Sequence, residues 1–399
     1  MKIKLGKMFS GFKKGLLLFT VLMLIALPSS VFAGNPKIKT MTRNLYLGAD
    51  ISKVVEAALN PYPNPDGLDI PRAVKTVFED MQNSNFPERA EALADEIALF
   101  EPDVVGLQEV SIYCKQTPAT AAPANLETDL EIDFFSVLND ALEARGMYYT
   151  AFIKTNADLE IPMLDSNSPT GLSDIRMIDH DIILVREDHD TSNEYKNKYI
   201  WQLGLNLGSN EAPIPVEFTR GYISVDVNIK GNDFRFVNTH LEVRSAPGSV
   251  CRVFQAAQMQ ELIFTINALS VHFGSKPIVM IGDFNSSPED EKGVSDVPGM
   301  GLILYVPPYT QAVDAGYLDA WLEQKKYDDG YTFGFDEYVS DPTAELTTRI
   351  DLIFLDPKDL EIDKVKATVV GNNVEDMTPS GLWPSDHAGV VTKVKFLTP

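Results

Sequence analysis

Ile278-Val279-Met280-Ile281-Gly282-Asp283-Phe284-Asn285-Ser286-Ser287-Pro288 decides how the rest of this chain is read. Four apolar residues predict a short buried strand, and Gly282 lets the backbone turn at its end. Asp283 and Asn285 then share one edge, because side chains two apart in extended chain point the same way. A carboxylate and an amide fixed at a strand end can orient a water molecule and hold a phosphoryl oxygen. A lone Asp-x-Asn is common, so the reading depends on what stands at the other strand ends.

Working outward, five further segments put polar groups beside apolar runs. Asn44 closes a strand over Lys37 to Leu45, and Glu109 comes near the end of Asp103 to Val110. Asn238-Thr239-His240-Leu241 ends a strand from Asp233, which closes a hairpin through Lys230-Gly231-Asn232. Asp351 begins an apolar run within Arg349 to Leu355, and Ser385-Asp386-His387 precedes a strand from Gly389 to Phe396. Further strands are expected over Tyr148 to Lys154, Asp181 to Arg186, Tyr199 to Leu205, Val216 to Ile229 and Ile362 to Val370. Helices are expected over Ile51 to Leu59, Pro87 to Phe100, Ile132 to Arg145 and Ser249 to Phe273. Pro61 to Gly67 and Thr117 to Asn125 read as surface turns, and Glu289 to Pro308 as an irregular insert with no long exposed apolar hairpin. Strand and helix alternate as in a layered α/β domain, with no repeat and no linker long enough to divide it.

Of the 399 residues 44% are hydrophobic, enough for one large core. Met1 to Ala33 is expected to be a secretory signal peptide: five lysines, an apolar run from Gly15 to Leu27, then the small-residue site Val31-Phe32-Ala33. The domain would then be residues 34–399, exported to the medium, the periplasm or the cell surface. Setting the leader aside removes five lysines and no acids from a formal charge of −23, leaving −28. Such a surface repels polyanions at long range and argues against tight, sequence-specific nucleic-acid binding. It leaves metal-assisted phosphate chemistry open, because a bound divalent cation inverts the local field. Cys114 and Cys251 both lie in the exported part, where a disulfide between them is expected over two free thiols.

As a set, these fragments resemble the endonuclease/exonuclease/phosphatase superfamily, which includes pancreatic-type deoxyribonucleases and bacterial sphingomyelinases. The resemblance runs from about Ile38 to Phe396. It implies a four-layer sandwich, with two mixed β-sheets packed face to face, helices on both outer sides and the site at one end. It implies Glu109 as the principal Mg²⁺ ligand with Asn44 beside it and Asp386 as a further carboxylate, with Mn²⁺ and Ca²⁺ also open. His387 would activate the attacking water or contact the phosphate, with Asp351 orienting its far nitrogen. Asp283 and Asn285 would align nucleophile and phosphate oxygen. His240 would stabilise or protonate the leaving oxygen, oriented by Asp179 or Asp181, and Arg220 would touch the phosphate unless it is a surface strand-end residue. His180, His189 and His272 fall outside the motifs, and Trp383 reads as a packed core residue.

Two histidines flanking a phosphodiester suit in-line displacement, where attacking and leaving oxygens need opposite proton traffic. The function expected is a secreted metal-dependent phosphodiesterase acting on nucleic acid or a phospholipid head group, without an obligate protein partner. A phosphomonoesterase on sugar or inositol phosphates would need a basic pocket, and no Lys/Arg cluster lies beside the motifs. A non-catalytic binding module on the same fold would be expected to have lost catalytic groups first.

Overall fold

The stretch Ile278–Asp283 is a strand buried on both faces, which is why its apolar residues run without a polar break. Ile278 and Met280 face one apolar cluster, while Val279 and Ile281 face another. The computed structural model describes residues 35–206, 215–324 and 328–397, so the leader expected over 1–33 lies outside the described residues.

In chain order, β1 (Lys37–Asn44) leads into α1 (Ser52–Leu59), α2 (Asp69–Asn83) and α3 (Phe86–Phe100). Then come β2 (Val104–Gln108), β3 (Ile112–Gln116), β4 (Leu130–Asp133), α4 (Phe134–Ala144), β5 (Tyr149–Leu164) and β6 (Leu172–Arg186). β7 (Asp190–Lys198), β8 (Leu203–Asn206), β9 (Pro215–Phe218), β10 (Gly221–Ile229) and β11 (Asn232–His240) precede the long helix α5 (Val250–Phe273). After β12 (Ile278–Asp283) follow β13 (Gly293–Val297), β14 (Gly301–Tyr305), α6 (Pro308–Asp314), β15 (Leu318–Asp319) and α7 (Ala320–Glu323). β16 (Asp351–Asp356), β17 (Glu361–Val370) and β18 (Gly389–Leu397) are the remaining strands described.

One sheet has eight strands in the order β17-β18-β1-β2-β6-β3-β4, with β5 also paired to β6. The other has six, in the order β15-β16-β12-β11-β10-β7. Each is mixed: β1 and β2 are parallel in the first and β11 and β12 in the second, while the other pairs are antiparallel. The inner faces meet in one core, with Val104 and Ile183 from the first sheet and Phe236, Val279 and Ile353 from the second. Helices α2 to α4 cover the outer face of the first sheet, packing Phe78, Leu93 and Phe134 with Met41, Val105 and Leu107. Helix α5 covers the second, packing Met259 and Leu262 with Val237, Met280 and Leu352. This is the four-layer sandwich expected, and Gly34–Pro399 is one compact unit.

Three local expectations change and one holds. Residues 69–83, unassigned by sequence, form α2, which buries Val74, Val77, Phe78 and Met81 at helical spacing. The insert after Glu289 is not irregular: β13 and β14 pair as a hairpin, with Met300, Leu302 and Leu304 exposed. Both cysteines are free. Cys114 belongs to β3 of the eight-stranded sheet, whereas Cys251 starts the helix on the outside of the other sheet. Trp383 is a core residue, stacked on Phe335 with ring centroids 4.1 Å apart.

Candidate active site

Register alone gathers the polar fragments. The two parallel pairs run their strands toward one end, matching Asn44 with Gln108 and His240 with Asp283. The antiparallel neighbour of β12 matches Asp283 with Asp351, and an isolated bridge sets His387 against Phe333. At Gly282, where φ is 150°, a Cβ would stand 2.0 Å from the Thr239 carbonyl oxygen, so only glycine allows β11 and β12 to approach this closely before Asp283.

Asp283 sits at the centre, 1% exposed. One of its oxygens accepts from the backbone N–H of Asn285 at 2.8 Å. The other lies 3.3 Å from Asn44 Nδ2, 3.4 Å from His240 Nε2 and 3.9 Å from His387 Nε2. Burial and the neighbouring Asp351 push the Asp283 carboxyl up from 3.8 to about 7.

His387 Nδ1 lies 2.8 Å from Asp351 Oδ2. Burial works against its charge, but Asp351, Asp386 and Asp283 outweigh it and hold the imidazolium well above its usual range. The backbone of His387 is clamped as well: Arg43, ion-paired to buried Glu96, donates to its carbonyl oxygen, and its N–H donates to Ser385 Oγ. His240 is the opposite case. Burial, then the charges of Arg220 and His387, drive its proton affinity well below the ordinary value, so the ring is neutral.

The orienting partner of His240 departs from expectation. Neither Asp179 nor Asp181 is bonded to it; Arg220 Nη1 lies 2.9 Å from its Nδ1, and Asn285 Nδ2 lies 3.0 Å from its Nε2. The register explains this, because Gly221 is matched with His240 and brings Arg220 alongside. Asp179 and Asp181 instead stand buried behind the arginine, raised to about 7 and about 6 mainly by burial. Arg220 is thus a site residue rather than a surface strand end: burial opposes its charge, and Glu242, Asp179, Glu109 and Asp181 sustain it.

On the other side, Glu109 and Asn44 are fixed by backbone donors. Leu47 N–H donates to Glu109 Oε2 and Tyr46 N–H to Asn44 Oδ1, both at 2.8 Å. Tyr46, Glu109 and Asn285 all adopt left-handed backbone, at φ of 64°, 58° and 49°, a strain that clusters at functional sites. Burial first, then the charge of Glu109, raises Asp386 to about 6. Carboxylates that repel one another, joined by an amide oxygen, are the hard-donor set a divalent cation would relieve, so these residues fit one. Asp283, Asp351 and His387 also bring ligand atoms within 4.8 Å of one another.

Several supports escape sequence reading. Arg89, fully buried on α3, donates to the Leu45, Tyr46 and Pro384 carbonyls and so ties the end of β1 to the loop before His387. Asn238 donates to the Leu107 and Ile182 carbonyls and accepts from Gln108 Nε2 at 2.7 Å, a buried link between the sheets one residue from Glu109.

Carboxylates and histidines gathered at one end of a two-sheet sandwich are groups that hydrolysis of a phosphoric ester can use. The chain belongs to the endonuclease/exonuclease/phosphatase family, whose model matches residues 80–387. A comparison with curated proteins finds no match. Among solved structures, a truncated TDP2 from Caenorhabditis elegans is 17% identical, covering 90% of this chain and 97% of that one, with a TM-score of 0.48. A family protein from Leptotrichia buccalis is 18% identical over 90% and 100% of the two chains, with a TM-score of 0.49. A mannosyl-6-phosphatase from Bacteroides thetaiotaomicron is 16% identical over 90% and 100%, also at 0.49.

Proposed function

We propose that the protein is an exported, Mg²⁺-dependent phosphodiesterase that cleaves a P–O ester bond by in-line attack of water. The observation that carries this reading is Asp283 set between two histidines in opposite protonation states. A carboxyl near pH 7 is suited to take a proton, whereas a histidine held as imidazolium is not. In this scheme Asp283 Oδ2 accepts the proton of the attacking water, with Asn285 Nδ2 on a phosphoryl oxygen. His387, braced by Asp351, gives its Nε2 proton to the leaving oxygen as the P–O bond breaks. The products are an alcohol and a phosphomonoester. Neutral His240 and Arg220 hold the opposite phosphoryl oxygen. Glu109, Asn44 and Asp386 would hold the Mg²⁺, which would supply positive charge to offset that of the phosphoryl group. The basic, apolar and small-residue segments of the first 33 residues support export.

Hydrolysis of bis-p-nitrophenyl phosphate in Mg²⁺ tests the reading, with p-nitrophenyl phosphate in parallel. Turnover should fall at least about 10²-fold in Glu109→Gln and in His387→Ala, with urea unfolding still cooperative. Retained turnover in either variant would defeat the mechanism, and faster cleavage of the monoester would reassign the substrate.

A further inference from the structure

Of the 24 residues of α5, only Arg252, Glu261 and His272 can carry charge, in a chain with 57 acids. Arg252 is turned inward to Asp290, and Glu261 accepts from the Ile200 N–H. The outer stripe of the helix, at helical spacing, is Val253, Ala257, Gln260, Phe264, Asn267, Ala268 and Val271, uncharged throughout, with Phe264 73% and Val271 89% exposed. Beside it stand Ile200 and Trp201 and the hairpin β13–β14, whose Leu302 and Leu304 are 77% and 70% exposed. Between helix and hairpin runs a cleft of about 700 Å³ lined chiefly by Trp201, Phe254, Ile263, Met300, Ile303 and Leu304, with Asp314 at its edge. A contiguous exposed apolar surface of this kind marks an interaction site, whereas single exposed apolar residues do not.

The charge pattern selects the partner. Hairpin residues 293–305 contain one acid, Asp296, and no base, and residues 34–399 carry −28. Nucleic acid and anionic lipid are repelled by that field, and a basic protein would find no row of carboxylates here. A zwitterionic lipid surface imposes neither cost, and a half-exposed tryptophan beside leucines suits its interface. The hairpin is also fixed to the catalytic end. Seven residues separate Gly293 from Asn285, and Asp290 among them binds Arg244 and Arg252, while the Gly248 N–H donates to Tyr305 Oη. Among the described residues no helix is long and apolar enough to cross a membrane, so the contact is peripheral.

We propose that the β13–β14 hairpin and the outer stripe of α5 seat the protein on a zwitterionic phospholipid surface. This does not depend on the phosphodiesterase reading, because binding is measured without turnover.

Residues 34–399, which form one compact unit, are sedimented with phosphatidylcholine vesicles and with phosphatidylglycerol vesicles in EDTA. The protein should bind phosphatidylcholine vesicles and prefer them. The double variant Leu302→Thr/Leu304→Thr should bind about tenfold or more weakly, with an unchanged midpoint of urea unfolding. Phe264→Gln, on the helix, should weaken binding independently of the hairpin's fold. Failure to bind phosphatidylcholine, a preference for phosphatidylglycerol or undiminished binding by both variants would overturn the proposal. So would a dimer in sedimentation equilibrium that the double variant abolishes, which would assign the face to a second copy of the chain.

Discussion

Replacing Asp283 by asparagine should make the protein more stable and less active at the same time. The carboxyl is buried, and its ordinary value of 3.8 rises to about 7, first by burial and then by repulsion from Asp351. A raised folded-state value means the folded protein holds this proton more tightly than the unfolded chain. The cost of ionising it is therefore absent below about pH 4, grows as pH rises and is complete above about pH 7. At 1.36 kcal/mol per pH unit, that gap corresponds to roughly 4 kcal/mol. That gap is already net of the attraction between Asp283 and the imidazolium of His387, 3.9 Å away, so the gain expected at pH 8 is about 4 kcal/mol. At pH 4 the two proteins should agree within about 0.5 kcal/mol. Turnover should fall about 10²- to 10⁴-fold at every pH, the range that loss of a general base produces. Urea unfolding in EDTA at pH 4 and pH 8, beside diester hydrolysis in Mg²⁺, reads both effects. A stability difference that does not change with pH, or wild type more stable than the variant at pH 8, would refute the placement of a strained carboxylate at this centre.

Two further outcomes follow from single contacts. Arg220→Met removes the cation 2.9 Å from His240 Nδ1, so the imidazole should titrate at higher pH in the NMR spectrum, with KM for the diester raised about tenfold. An unmoved titration would show that the arginine does not govern that ring. Asn238→Leu strips the buried amide link between the sheets, taking the side-chain donor from the Leu107 and Ile182 carbonyls and the acceptor from Gln108 Nε2. Urea unfolding should report a loss of about 3–5 kcal/mol, and a loss below about 1 kcal/mol would mean that the link is dispensable.

How far the sequence could be read depends on whether a feature is local or set by register. Glu109, Asp283 and Asp351 were legible because each closes or opens a strand buried on both faces, which writes a largely apolar run beside a carboxylate. The same local signal existed for α2, in Val74, Val77, Phe78 and Met81, and for the hairpin, where Pro298-Gly299 separates two apolar runs. The hairpin is harder to recognise because alternating apolar residues normally mark a core-facing strand, and these face outward. The partner of His240 was beyond reach for a different reason. Asp179 and Asp181 lie in the eight-stranded sheet, whereas Arg220 adjoins the strand matched to His240 in the six-stranded one. A one-residue change of register would put a different side chain beside that ring, and periodicity carries no record of which register wins. Arg89 and Arg43 show the limit most sharply. A charged residue inside a helix or strand reads as solvated, yet each is wholly buried because several carbonyls, or one carboxylate and a carbonyl, converge on it from distant parts of the chain. The carboxylates and histidines of the candidate site announce themselves by chemistry at strand ends, but the cations that hold the backbone beneath them become recognisable only once the long-range ladders are in place.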